Sequence, residues 1–219
     1  MFDFLKNRFI SFIYPDKCVF CEEIITKNDS ICTHCAQNVK ISVSLRPLLE
    51  FGNGKVTKCM SPFKYTGKVR DAVCRFKFYG YKNYADFFSG IIAEEINKNI
   101  LDIKFDFISA VPLSSKRQSQ RGYNKSQWLA KALSGKLNIP YKETLVKIKD
   151  NFPQHELPLD QRMQNIKGVY RPKDKKIIKG KNILLCDDII TTGNTLKECV
   201  KMLKYSGAKN VVCCTIAHV

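Results

Sequence analysis

The sequence predicts an α/β fold, a parallel sheet flanked by helices, preceded by a small cysteine-rich module. Three observations carry this expectation. From residue 59 onward, apolar runs of strand length alternate with helical patterns, the order that builds parallel sheets. Four cysteines are packed into residues 18–35. One apolar run, 183–186, leads through two acids into a threonine- and glycine-rich turn and then a helical pattern.

Composition limits the class. The 219 residues are 44% hydrophobic and 26% charged, a globular balance that excludes disordered and fibrous chains. Lys and Arg number 37 against 20 Asp and Glu, a net charge of +17. Such an excess favours nucleic acid, phosphates or an anionic membrane surface as partners; the alternative is a lysine-rich surface without a dedicated partner. No apolar run reaches the ~18 residues a membrane-spanning helix needs. Asp3, Lys6 and Arg8 interrupt the apolar N-terminus, so no signal peptide is expected there.

The elements follow in chain order. Residues 1–16 read as an amphipathic helix, with Phe2, Leu5, Phe9 and Phe12 on one face and Pro15 as its stop. That face would dock on a membrane surface or a partner, or pack at home; the weight falls on packing at home. Residues 17–45 form the cysteine module and residues 46–219 the main domain. Residues 40–58 read as a connector punctuated by Pro47, Gly52 and Gly54. Tyr84, Phe87, Phe88, Ile91, Ile92 and Ile96 mark one helical face. Residues 107–111 are a strand ended by Pro112, and Leu129, Ala132, Leu133 and Leu137 mark a second helix. The strand at 183–186 precedes a helix marked by Leu196, Cys199, Val200 and Leu203, with Gly207 placed to end it. Residues 211–216 form a last strand.

Ten cysteines divide into two groups. Cys18, Cys21, Cys32 and Cys35 form C-x2-C-x10-C-x2-C, two knuckles able to surround one tetrahedral zinc ion. Four thiolates leave no open coordination position, so the zinc is expected to be structural. His34 lies inside the second knuckle and is expected at the surface. Cys59, Cys74, Cys186, Cys199, Cys213 and Cys214 are scattered through apolar segments, which suits a reducing, cytoplasmic compartment. Peripheral contact with the inner face of the membrane is compatible with this.

The richest segment is 183–195. Its turn places backbone N–H groups and hydroxyls at a helix N-terminus, where the helix dipole favours an anion. Gly193 lets a phosphate approach closely, and Thr191, Thr192 and Thr195 add hydroxyls, with Asn194 between them. Asp187 and Asp188 would repel phosphate, and suit sugar hydroxyls or hydrated Mg2+. A phosphate beside a diol describes a ribose 5-phosphate.

This run resembles the 5-phosphoribosyl-1-pyrophosphate (PRPP) signature of type I phosphoribosyltransferases. The resemblance implies that residues 191–195 hold the 5-phosphate and that Asp187 and Asp188 meet the ribose and Mg2+. In several base-salvage members an Asp stands first in the loop; Thr191 stands here, which argues against purine salvage of that type. The whole chain is similar to the ComF/ComFC family of competence proteins. The matching pieces are the cysteine quartet with Pro15, Asp16 and Lys17 before it, residues 76–80, the run Arg121, Gly122, Tyr123 and Asn124, residues 154–162, residues 165–168, and the PRPP loop.

The resemblance implies a type I phosphoribosyltransferase fold with an N-terminal zinc module, and a role in natural transformation. It makes Lys116, Arg117 and Arg121 the cations of a mobile loop that meets pyrophosphate. Residues 75–84 interleave five aromatics with three cations, the composition of a single-stranded DNA platform or of a packed segment. Core packing is favoured for Phe76 and Phe78; Lys77, Tyr79 and Tyr81 are the DNA candidates, with Lys125 beside them. Residues 171–181 hold six cations and one acid, a solvated connection or part of a DNA track. The expectation is a PRPP-binding protein handling incoming single-stranded DNA, with other competence-machinery proteins such as a helicase or uptake components as partners. The alternatives are an active phosphoribosyltransferase with an unidentified acceptor, and a non-catalytic PRPP sensor.

Overall fold

The computed structural model describes residues 15–26, 29–52, 54–79, 82–114, 118–119, 122–149 and 168–219, with backbone alone at 78, 79 and 82. The expected N-terminal helix therefore lies, apart from Pro15 and Asp16, outside the described residues. The same holds for Tyr81, Lys116, Arg117, Arg121 and the side chain of Tyr79.

A sheet ordered β1–β2–β8–β7–β4 forms the centre. Its middle strands, β7 (Asn182–Ile190) and β8 (Asn210–His218), run parallel, with Cys186 opposite Cys214 and Asp187 opposite Thr215. β4 (Phe107–Ala110) runs parallel on the far side of β7, with Ala110 opposite Cys186. Every β4 residue and all of β8 after Asn210 are buried, as expected for strands covered by helices on both faces. β2 (Val56–Ser61) and the two-residue β3 (Phe63–Lys64) pair with β8 in parallel. A separate pair, β5 (Leu145–Lys147) and β6 (Tyr170–Pro172), is antiparallel.

The predicted connector at 40–58 is instead mostly a hairpin. β1 (Ser44–Glu50) lies antiparallel to β2 at the sheet edge. Pro47 is tolerated there because an edge strand leaves one row of N–H groups unpaired, and the register shifts between Pro47 and Leu49. Gly54 N–H closes the turn on Phe51 C=O at 2.9 Å. The predicted boundary at 45/46 thus falls inside a strand of the main sheet, and the sheet is parallel except at this edge.

Six described helices complete the fold: α1 (Thr33–Asn38), α2 (Gly67–Tyr79), α3 (Lys82–Asn99), α4 (Lys125–Leu137), α5 (Lys175–Ile178) and α6 (Asn194–Tyr205). α2 was not expected from the sequence as a helix. Its buried residues Val69, Ala72, Val73 and Phe76 nevertheless follow an i, i+3, i+4, i+7 spacing, among four cations that face outward or toward polar partners. α6 starts at the predicted turn and is ended by Gly207 at φ 88°. Among the described residues no helix is long and apolar enough to cross a membrane.

Alternation along β7 divides the core. Leu184 and Cys186 face one cluster with α2, α3 and α4, whereas Ile183 and Leu185 face another with α6. The first cluster includes Cys18, Val19, Phe20 and Cys35 of the cysteine module. Phe20 meets Phe63, Phe87 and Phe88 edge-on at centroid distances of 5.9, 5.5 and 6.4 Å. The module is therefore continuous with the core of the main domain.

Candidate functional site

The cysteine quartet assembles. Cys18 and Cys35 are buried, Cys21 and Cys32 partly so, and the four Sγ atoms all lie within 4.8 Å of one another. Cys21 and Cys32 Sγ are 3.6 Å apart. Tetrahedral Zn–S bonds of about 2.3 Å require sulfur separations of about 3.8 Å, so the donor set fits zinc. Each knuckle is shaped by backbone bonds: Glu22 N–H, in a left-handed turn at φ 63°, reaches Cys18 C=O at 2.9 Å, and Cys35 N–H reaches Cys32 Sγ at 3.4 Å. Lys68 Nζ stands 3.5 Å from Cys35 Sγ, where its charge offsets the excess of thiolates over the metal's two positive charges. His34 is exposed, as expected. The quartet is a structural zinc site.

The second centre lies at the carboxyl end of β7, where parallel α/β sheets bind ligands. Asp187 and Asp188 occupy the strand, and the turn 191–193 leads into α6. Gly193 is the N-cap, at φ 75°, and no side chain caps the helix. The left-handed backbone favours glycine, and a Cβ at Gly193 would come within 2.8 Å of Leu48 Cδ1, so the Leu48 side chain would have to shift. Thr191 is exposed, whereas Thr192, Asn194 and Thr195 are half-buried. Thr192 Oγ1 is buried and has no hydrogen-bond partner among the described residues. An orphaned hydroxyl beside uncapped helix N–H groups is a donor set that an anion would satisfy.

The two acids have different neighbours. Ser126 Oγ donates to Asp187 Oδ1 at 2.8 Å, and Asp188 N–H donates to the same oxygen at 2.9 Å. Burial and then the charge of Asp188 push the Asp187 carboxyl up to about 7. Asp188 accepts from Ile189 N–H at 2.7 Å and pairs with Lys77 Nζ at 3.2 Å. Lys77, expected on a DNA surface, is thus turned onto Asp188. Lys125, the other described DNA candidate, is only 6% exposed at the start of α4.

The motif residues around Asn124 position Ser126. Asn124 caps α4 by accepting from Gln127 N–H at 3.3 Å, and its Nδ2 donates to Val111 C=O at 3.0 Å. The cap thereby ties the start of α4 to the end of β4. Tyr123 stacks on Trp128 at 4.3 Å. Ser126 and Leu48 are neighbours of the turn and its acids that the sequence does not single out, and Lys77 is one that its composition assigns to a DNA surface instead. Only proximity to the Asn124 motif could have drawn attention to Ser126; nothing in the spacing links Leu48 or Lys77 to the turn.

Residues 124–219 match the phosphoribosyl transferase domain model, and residues 9–46 match the double zinc ribbon domain model. The chain is 26% identical over 217 residues to the DNA utilization protein YhgH of Salmonella typhi, covering 90% of this chain and 94% of the relative. It is 37% identical over 106 residues to Competence protein F of Haemophilus influenzae, covering 48% of this chain and 46% of that protein. It is 30% identical over 151 residues to Competence protein ComFC of Streptococcus pneumoniae, 68% of this chain and 63% of that one. Among solved structures, adenine phosphoribosyltransferase from Saccharomyces cerevisiae aligns over 86% of this chain and 90% of its own, at 14% identity and a TM-score of 0.43. With a zinc-ribbon module joined to a phosphoribosyltransferase domain, and with these relatives, the chain belongs to the ComF/ComFC family.

Proposed function

We propose that the protein binds PRPP at the end of β7 and serves natural transformation by handling incoming single-stranded DNA in the cytoplasm. The observation that carries the first part is the juxtaposition of Asp187 and Asp188 with the Gly193 turn and the orphaned Thr192 hydroxyl. In this reading, residues 191–195 hold the 5-phosphate through backbone N–H groups and hydroxyls. The two carboxylates accept hydrogen bonds from the ribose hydroxyls. Mg2+ enters with the pyrophosphate of the ligand; hard carboxylate oxygens suit it. Ser126 holds Asp187 in place through its 2.8 Å bond.

The DNA-handling part is supported by the net charge of +17 and by relatives named for competence and DNA utilization. Proteins that track a nucleic-acid backbone need such an excess of cations. Partnership with other competence-machinery proteins belongs to the same reading. Two assays separate the parts. Asp188→Ala should abolish transformation while leaving a salt-dependent gel shift on single-stranded DNA intact. A protein that gives no such shift at low salt is not a DNA handler. Release of pyrophosphate from PRPP on addition of an acceptor would move the reading to an active phosphoribosyltransferase.

A further inference from the structure

We propose that α2 couples the zinc centre to the sugar-phosphate site, with Arg75 as the positioning residue; the inference rests on the PRPP reading above. Arg75 Nη2 donates to Val19 C=O at 3.0 Å and to Phe20 C=O at 2.7 Å. These two carbonyls lie between Cys18 and Cys21, the paired ligands of the first knuckle. The metal therefore fixes the turn whose carbonyls Arg75 grips. Glu22, the next residue, pairs with Arg75 Nη1 at 3.6 Å, and Tyr84 Oη accepts from Arg75 Nε at 3.2 Å. The Arg75 side chain is only 15% exposed, so solvent screens these bonds weakly.

Two further contacts complete the path. Lys68, seven residues before Arg75 and so on the same face of α2, reaches Cys35 of the second knuckle at 3.5 Å. Lys77, two residues after Arg75, points to a different side of the helix and pairs with Asp188 at 3.2 Å. Phe76 between them is fully buried and packs on Phe88, so the helix cannot turn without disturbing the core. One rigid element thus holds both cysteine knuckles on one side and a ribose-binding carboxylate on the other. Loss of the metal frees the Val19 and Phe20 carbonyls, loosens Arg75 and shifts Lys77 relative to Asp188. Coupling of this kind is reciprocal: whatever zinc does for PRPP affinity, PRPP does for zinc affinity.

The test uses this reciprocity in the zinc-loaded full chain. Zinc affinity is measured by competition with a chromogenic chelator, with and without saturating PRPP and Mg2+, with Mg2+ alone as control. The expected result is zinc held about 5-fold or more tightly when PRPP is bound. Arg75→Lys, which keeps the charge but loses the forked geometry, should abolish most of that difference while the unliganded protein still retains zinc and melts cooperatively. Arg75→Ala serves as the second variant. PRPP binding that leaves zinc affinity unchanged overturns the coupling alone. Absence of any PRPP binding to the zinc-loaded protein overturns both the coupling and the reading beneath it.

Discussion

The hydroxyl of Ser126, at the start of α4, donates a 2.8 Å hydrogen bond to Asp187 Oδ1 across 61 positions of sequence. It is the contact by which the Asn124 motif and the β7 acids become one site. It also opposes the strong tendency of Asp187 to stay protonated.

Asp187 makes stability depend on pH in a defined direction. Its ordinary value is near 3.8, and burial with the adjacent Asp188 raises it to about 7 in the folded protein. Between those values the folded state binds more protons than the unfolded one. The contribution is fully present below the unfolded value and is lost as pH rises through the folded one. Asp187→Asn should therefore gain in melting temperature relative to the parent from pH 4 to pH 8, by a few degrees at pH 8. Scanning calorimetry across that range checks it; a constant difference would contradict the assignment.

Thr192 predicts opposite effects on folding and binding. Its hydroxyl is buried without a partner among the described residues. Thr192→Val should leave the unliganded protein unchanged or more stable by about 1 kcal/mol, because an unmet polar group is removed. The same change should weaken PRPP binding about tenfold, since one hydrogen bond to a charged group is worth roughly 1.5–3 kcal/mol. Denaturant melts and binding titrations on the same sample separate the two.

Gly193→Ala should cost about 1–3 kcal/mol, from a strained left-handed backbone and a Cβ only 2.8 Å from Leu48 Cδ1. Adding Leu48→Ala should fail to restore full stability, because the strain at φ 75° remains and a cavity is opened. A double-mutant cycle by urea unfolding measures how much of the cost is contact and how much is backbone.

Zinc removal should loosen the main domain as well as the module. Phe20 packs on Phe63, Phe87 and Phe88, and Val19 and Phe20 belong to the same core cluster as Leu184. Cys35→Ser or chelation should lower the melting temperature of the whole chain in a single transition. A separate low-temperature transition, with the remainder unchanged, would show an independent module.

Much of this architecture was legible in the sequence because the signals were contiguous. The quartet and the run from Ile183 to Thr195 each carry their chemistry within a few turns of chain. The strands at 107–111, 183–186 and 211–216, and the helices after the first two, stand out by apolar periodicity. The hairpin of β1 and β2 was hidden because Pro47, Gly52 and Gly54 read as loop punctuation, although an edge strand accepts proline. α2 was hidden because its aromatic and cationic C-terminal end resembles a nucleic-acid platform. The roles of Lys77, Ser126 and Leu48 depend on contacts across the fold, made at sequence separations from Asp188, Asp187 and Gly193 that no local pattern encodes.

In the proposed complex a sugar phosphate lies between the β7 acids and the Gly193 turn. Isothermal titration of the zinc-loaded chain with PRPP and Mg2+ tests it most directly. Saturable one-to-one binding, weakened at least tenfold by Asp188→Ala, is the predicted result. Absence of heat at millimolar ligand, or an affinity unchanged in Asp187→Ala and Asp188→Ala, would contradict it.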